Sequence, residues 1–268
     1  MKGPELLAAH AGILRTEVGA CWPGTRAVFR GHDLHKDLRD SDWLELYLLG
    51  ITGRRFSDRE IRLLHGIWVM TSYPDARLWN NRVAGLAGSA RSTPILGLAG
   101  AQAVTEAQVY GAGPSLKAMA FFMRAAQAVA AGETLREFIL RKLESGYIYG
   151  FGRPINAQDE RLPWLIELSR SLELGDGKHL KLAFETQDIL VQELGKQNLK
   201  MNYAGLVAAL AADLGFSLRE WHLFRFPIVL AGMAPCWMEA SENTEGTLFP
   251  TPCTGIAYKG LQKRPWIR

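Results

Sequence analysis

Three short sequences in this chain have the form that begins an α-helix, and they constrain the fold more than any other feature. Ser57–Glu60, Thr134–Glu137 and Ser217–Glu220 each place a hydroxyl residue three positions before a glutamate. In such a capping box, the hydroxyl and the carboxylate bind backbone amides that have no partner inside the helix. After the first box, Ile61 and Leu64 recur at helical spacing and predict one buried face. The pattern is typical of a helical protein.

The segments between these signals favour helices as well. They are rich in Ala, Leu, Glu and Lys, which are strong helix formers. We predict helices at about residues 76–109, 114–131, 159–172, 178–194 and 202–213. Short strands are expected only at Thr25–Arg30 and near Cys253–Tyr258. The predicted fold class is all-α.

Composition limits the class of protein. With 268 residues, 48% of them hydrophobic, the chain can form one compact unit or a core with a small appendage. No apolar run approaches the ~20 residues that span a bilayer, and the N-terminus has no signal-peptide pattern. We therefore expect no membrane partner and a cytoplasmic location. The three cysteines, which are widely spaced, fit neither a disulfide framework nor a metal site: Cys21, Cys236 and Cys253.

The charge pattern favours a small anionic ligand over nucleic acid. The formal net charge is +4, and the 31 Lys and Arg residues are scattered rather than clustered. Nucleic-acid-binding proteins usually carry a basic stripe or patch, so no nucleic-acid partner is expected. A basic cleft that attracts a small anion fits the same charge.

Four glycines lie in an Ala-rich stretch: Gly85, Gly88, Gly97 and Gly100. A phosphate-binding loop would need a following Lys-Ser/Thr and a preceding strand, and both are missing here. Close approach between helices is the favoured interpretation, because small residues let two backbones meet. The same flat surface would also suit a dimer interface.

The segment Gly150–Pro154 is the clearest candidate for a functional loop. Its sequence Gly-Phe-Gly-Arg-Pro resembles the Gly-Phe-Gly-His loop of the citrate synthase family, especially of its short members of the citryl-CoA lyase type. Other separated pieces resemble the same family in the same order, from about residue 25 to the end. They are Phe29–Leu34, Trp43–Leu49, Asp159–Arg161, Asn202–Gly205 running into Leu214–Phe216, and Gly232–Glu239.

The resemblance implies a fold and an assembly. It predicts a helical protein with a large and a small domain, a ligand cleft between them, and a homodimer. Residues 1–143 and 226–268 would form the large domain, with an extended C-terminal tail, and residues 144–225 the small domain. It implies no tightly bound cofactor and no metal, with a coenzyme A thioester as the substrate and a polycarboxylate as the other anionic ligand.

The family chemistry needs two histidines and a carboxylate base, and the resemblance places other residues at all three positions. Ala112 and Arg153 stand where the family has histidine, and Ala204 stands where it has aspartate. Two alignments stay open: Tyr110 is the alternative for Ala112, and a shift of two residues would place Asn202 at the base position. Neither choice for the base is a carboxylate, so we expect no catalysis by the family mechanism.

The same resemblance suggests residues that bind an anionic substrate: Arg153, Arg161, Arg82, Asn202 and His32. The planar guanidinium of Arg153 suits a carboxylate or phosphate, but it could instead pair with Asp159 or Glu160 and plug the site. Each of three others has a structural alternative. Arg161 could be a solvated helix-start residue, Arg82 a member of an ion pair, and His32 a solvated or capping residue.

Two functions follow. One is a relative of citrate synthase and citryl-CoA lyase that binds a CoA thioester or polycarboxylate and uses a different residue set, as an acyl-CoA-dependent transferase or lyase. The other is a catalytically inactive scaffold that senses a metabolite or binds a protein. A helical adaptor unrelated to the resemblance has no specific support.

Overall fold

The computed structural model describes residues 2–12, 14–108, 111–153, 159–248, 252–262 and 264–266. The chain divides into two compact units. Unit 1 comprises Met1–Thr71 and Gln108–Ile228, and unit 2 comprises Ser72–Ala107 and Val229–Arg268. These units do not test the assignment of residues 144–225 to a small domain, which stays a prediction.

The described residues are mostly helical. In chain order the α-helices are α1 (Pro4–His10), α2 (Trp43–Thr52), α3 (Asp58–Thr71), α4 (Trp79–Ser89), α5 (Pro94–Val104), α6 (Ala112–Ala130), α7 (Leu135–Glu144), α8 (Leu162–Ser171), α9 (Lys178–Asp188), α10 (Tyr203–Asp213), α11 (Leu218–Arg225) and α12 (Leu230–Glu242). A π-helical turn, Ile189–Glu193, extends α9, and 3₁₀ turns form at Pro227–Val229 and Cys253–Gly255. No helix in the described ranges is long and apolar enough to cross a membrane.

The three predicted capping boxes are confirmed. The Oγ atoms of Ser57, Thr134 and Ser217 accept hydrogen bonds from the backbone amide three residues later, at 3.4, 3.2 and 3.2 Å. In turn, the backbone amide of the first residue of each box donates a hydrogen bond to the glutamate carboxylate. A further box begins α2, where Asp42 and Glu45 exchange bonds of 2.8 Å. Sequence reasoning missed it because an aspartate replaces the hydroxyl residue.

A small antiparallel sheet lies between α1 and α2 in the chain and is an exception to the all-α prediction. Its strands are β1 (Gly19–Trp22), β2 (Arg26–Phe29) and β3 (His32–Asp33), in the order β1-β2-β3. The strand expected at Thr25–Arg30 is therefore present as β2. The strand expected near Cys253–Tyr258 is wrong, because Cys253–Gly255 forms a 3₁₀ turn in which the Gly255 amide binds the Pro252 carbonyl at 2.8 Å.

Helix α10 lies at the centre of unit 1, packed against α6 and α9. Its residues from Leu206 to Ala211 are at most 1% exposed, which requires small and apolar side chains on every face. The indole Nε1 of Trp221, fully buried in α11, donates a 2.9 Å bond to the Ser115 hydroxyl of α6. The middle of α10 is therefore part of the buried core of unit 1.

In unit 2, α4 packs against α5 and α12. The helix predicted over 76–109 is two helices, because Pro94 can begin a helix but not continue one. A methyl group on Gly88 would overlap the Trp237 carbonyl, and one on Gly97 would come within 2.8 Å of the Ala87 Cβ. Close helix approach is thus confirmed for these two glycines, whereas Gly100 faces open space. The dimer interface stays a prediction.

Candidate functional site

The loop predicted from the Gly-Phe-Gly sequence is a tight turn in unit 1; residues 149–152 are here called the Gly150 turn. Gly150 and Gly152 have φ values of +95° and +82°, a region that side-chain-bearing residues rarely adopt. Between them, Phe151 forms an antiparallel bridge with Met201. The Gly152 amide donates to the Lys200 carbonyl at 2.7 Å, and the Asn202 amide donates to the Gly150 carbonyl at 3.0 Å. The turn is therefore fixed against the residues that lead into α10.

Close backbone contact fixes the depth of the turn. A Cβ atom on Gly150 would lie 2.9 Å from the Gly205 Cα, and one on Gly205 would overlap the Gly150 carbonyl. The ring of Phe151 is buried and contacts Phe122 of α6 edge-on, with 6.2 Å between ring centroids. Only glycine at both positions lets the turn reach the first turn of α10.

Asn202, predicted to bind substrate or to replace the base, uses its side chain on the backbone. It is the N-cap of α10, and its Oδ1 accepts from the Gly205 amide at 3.1 Å. Its Nδ2 donates to the Gly152 carbonyl at 2.7 Å. Both polar atoms thus link the Gly150 turn to α10, and the substrate-binding role stays a prediction.

The two alanines of the predicted catalytic set begin helices. Ala204 is the second residue of α10 and is half-buried, and Ala112 is the first residue of α6 and is 6% exposed. Neither carries a group that can move a proton. Tyr110, the alternative to Ala112, lies outside the described residues.

Arg153 follows the Gly150 turn and contacts two carboxylates. Its Nη1 donates to Glu160 Oε2 at 3.3 Å, and its Nε lies 3.9 Å from Asp159 Oδ2. The Arg153 side chain is 20% exposed, against 1% for Asp159 and 56% for Glu160. These contacts are those of the alternative in which Arg153 is paired within the protein.

Asp159 is the centre of a buried ion-pair network. Arg161 donates two hydrogen bonds of 2.8 Å to it, from Nε to Oδ1 and from Nη2 to Oδ2. The Tyr203 amide at the start of α10 adds a 3.1 Å bond to Oδ2. Burial by itself raises the pKa of Asp159, but the bonds and charge of Arg161, the Tyr203 amide and the charge of Arg153 outweigh it, so the pKa is lowered. Arg161 is consequently a structural partner of Asp159 rather than a solvated helix-start residue.

Tyr203 completes this group, and sequence reasoning did not single it out. The Arg161 guanidinium lies 4.1 Å from its ring centroid, a cation–π distance. The Tyr203 hydroxyl donates to the Ile67 carbonyl at 2.9 Å and lies 2.9 Å from the Thr71 hydroxyl. Burial raises the pKa of Tyr203 to about 12, so the phenol keeps its proton at neutral pH. The available signal was its position between Asn202 and Ala204. Arg153, Asp159, Glu160, Arg161 and Tyr203 are called the Asp159 cluster below.

The other two predicted binding residues lie on other elements of the fold, and their binding role stays a prediction. Arg82 lies on α4 of unit 2, where its side chain is exposed. His32 lies on β3, half-buried and paired in register with Phe29. Among the described residues, no group of three or more His, Cys, Asp or Glu side chains could hold a metal ion.

Solved structures identify the fold. The chain matches citryl-CoA lyase from Hydrogenobacter thermophilus with a TM-score of 0.81 and 22% identity, over 95% of this chain and 98% of that one. It has the citrate synthase fold. No family model and no curated protein matches the sequence.

Longer proteins contain the same fold. ATP citrate lyase from Methanothrix soehngenii, solved with citrate and coenzyme A, matches over 98% of this chain and 45% of its own, with a TM-score of 0.75 and 17% identity. Citrate synthase from Thermotoga maritima matches over 84% of this chain and 59% of its own, with a TM-score of 0.65 and 18% identity. The expectation of a mostly helical, citrate synthase-like fold is therefore confirmed.

Proposed function

We propose that this protein binds a polycarboxylate through Arg153 and does not catalyse carbon–carbon bond chemistry by the citrate synthase mechanism. The observation that carries the proposal is the position of Arg153. It directly follows a turn that two glycines and Asn202 hold in place, and its charge partner is a half-exposed carboxylate.

The contacts of Arg153 favour exchange of one carboxylate for another. Exposed ion pairs contribute only ~0–1 kcal/mol, so a ligand can replace Glu160 at little cost in stability. Asp159, in contrast, is buried and held by Arg161, and it keeps that partner. A polycarboxylate would take the place of the Glu160 carboxylate on the Arg153 fork, where charge-assisted bonds are strong.

The same cluster argues against proton abstraction. Asp159 has a lowered pKa and its oxygens accept three short bonds, so it is a weak base. Tyr203 has a raised pKa and is buried. Ala112 and Ala204 have nothing to protonate. Since a positioned acid or base contributes about 10²–10⁴ in rate, this set would leave the reaction near its uncatalysed rate.

One observation keeps an enzymatic alternative in view. Glu160 carries a carboxylate that is 56% exposed beside Arg153, and a different residue set could use it as the base for a CoA thioester substrate. The relative solved with citrate and coenzyme A supports both ligand classes as probes. Binding and turnover must therefore be measured separately.

The binding test is calorimetric titration of the full chain with citrate, oxaloacetate, coenzyme A and acetyl-CoA. Arg153→Ala should weaken binding of the carboxylate roughly 10- to 100-fold, the value of a charge-assisted bond. The matched control is Arg124→Ala, which removes an exposed arginine of α6 in the same unit and should leave the affinity unchanged. Equal affinity in the wild type and Arg153→Ala would contradict the proposal.

A further inference from the structure

Two adjacent acidic residues of the Asp159 cluster have opposite environments. Asp159 is 1% exposed, accepts two bonds of 2.8 Å from Arg161, and accepts a third from the Tyr203 amide. Glu160 is 56% exposed and accepts a 3.3 Å hydrogen bond from Arg153. The Asp159 carboxylate is thus a buried structural group, whereas the Glu160 carboxylate lies on the Arg153 guanidinium, where a ligand carboxylate would bind.

Asp159 does not form a hydrogen bond with Arg153 as Glu160 does. Its nearer oxygen lies 3.9 Å from Arg153 Nε, beyond hydrogen-bond distance, and that oxygen already accepts from Arg161 and Tyr203. Glu160 therefore supplies the hydrogen-bonded carboxylate of Arg153. A ligand carboxylate that binds Arg153 meets Glu160 as a direct competitor of the same chemistry.

We propose that Glu160 sets the affinity of this site: it acts as an internal stand-in for a ligand carboxylate and lowers the affinity of Arg153 for every carboxylate ligand. This inference rests on the proposed binding of a polycarboxylate at Arg153. Because Glu160 is part of the same chain, its carboxylate is always present beside Arg153 and competes as an intramolecular partner. A monocarboxylate offers only the contact that Glu160 already makes. A polycarboxylate has further groups whose contacts add to the exchange.

The test compares Glu160→Gln with the wild type in calorimetric titrations with citrate and with acetate. Glutamine keeps the shape of Glu160 and removes its charge. Because an exposed ion pair is weak, citrate should bind roughly three- to fivefold more tightly to the variant. Acetate should gain the same factor, because Glu160 competes with both ligands for Arg153, so the ratio of the two affinities should stay constant. Glu193→Gln is the control, because Glu193 is 50% exposed, close to the 56% of Glu160, and its carboxylate pairs with Arg136 away from Arg153.

The outcomes separate this inference from the proposed function. If Arg153→Ala loses citrate but Glu160→Gln binds citrate and acetate as the wild type does, Glu160 is no competitor and the inference fails alone. An equal gain in Glu193→Gln would overturn it too, since the effect would be one of net charge. If citrate binds neither the wild type nor Glu160→Gln, the proposed function itself fails.

Discussion

The backbone of the Gly150 turn and the side chains that follow it are held in very different ways. The backbone is tied by hydrogen bonds to Lys200 and Asn202 and by direct contact with Gly205, which leaves no room for one methyl group. Arg153, which follows the turn, donates to an exposed carboxylate at 3.3 Å, and its Nε lies 3.9 Å from Asp159 Oδ2. The difference teaches that the backbone position of this turn is fixed by contacts that do not involve the side chain that follows it.

The largest effect is expected from Gly205→Ala. The added methyl would overlap the Gly150 carbonyl, which is backbone and cannot rotate away. We expect a loss of about 3 kcal/mol in the free energy of unfolding, measured by urea denaturation. Gly100→Ala is the control: it faces open space on α5 and should stabilise the protein by up to about 1 kcal/mol. Equal effects of the two variants would mean that the turn does not lie against α10.

The next effect is expected from Asp159→Asn, which leaves Arg161 without its carboxylate. We expect a loss of about 2 kcal/mol at pH 7, less than for a fully buried pair because Arg161 is partly exposed. The pKa of Asp159 is lowered in the folded protein, so its contribution is complete above the ordinary value of 3.8 and is lost as the pH falls below it. Urea denaturation should therefore show a smaller difference in the free energy of unfolding between Asp159→Asn and the wild type at pH 3 than at pH 7. The same difference at both pH values would contradict the assigned ion pair.

A smaller effect is expected from Asn202→Ala. It removes the N-cap of α10 and the bond to the Gly152 carbonyl, and helix caps contribute about 1 kcal/mol. Asn202→Ser keeps an oxygen that can cap the helix but loses the bond to Gly152, so it should lose less. Urea denaturation measures the stability of both variants. If the serine variant is as unstable as the alanine variant, the bond to Gly152, rather than the helix cap, accounts for the loss.

The smallest effect on stability is expected from Arg153→Ala, at less than about 1 kcal/mol, because its partner Glu160 is exposed. This variant separates the two regions most sharply. Its fold should survive while its citrate affinity falls. A loss of stability as large as that of Asp159→Asn would show that Arg153 belongs to the structural network.

Much of the backbone region was predictable from local sequence. The two glycines flanking Phe151 indicate a tight turn, and the serine and threonine capping boxes mark the starts of α3, α7 and α11. The Asp159 cluster was less predictable. Tyr203 lies 44 positions from Asp159 along the chain, so their contact depends on how α10 packs in the core. The contact of Arg153 with Glu160 appeared in the sequence only as one of two options.

The most direct test of the central claim, that the site holds a ligand but lacks a working acid–base set, is a single-turnover assay. The protein is mixed in excess with citryl-CoA, and the release of the CoA thioester product is followed over time. The account predicts that cleavage proceeds no faster than in a protein-free control, while citrate still binds. Protein-dependent cleavage that is abolished in Glu160→Gln would contradict it and assign the base to Glu160.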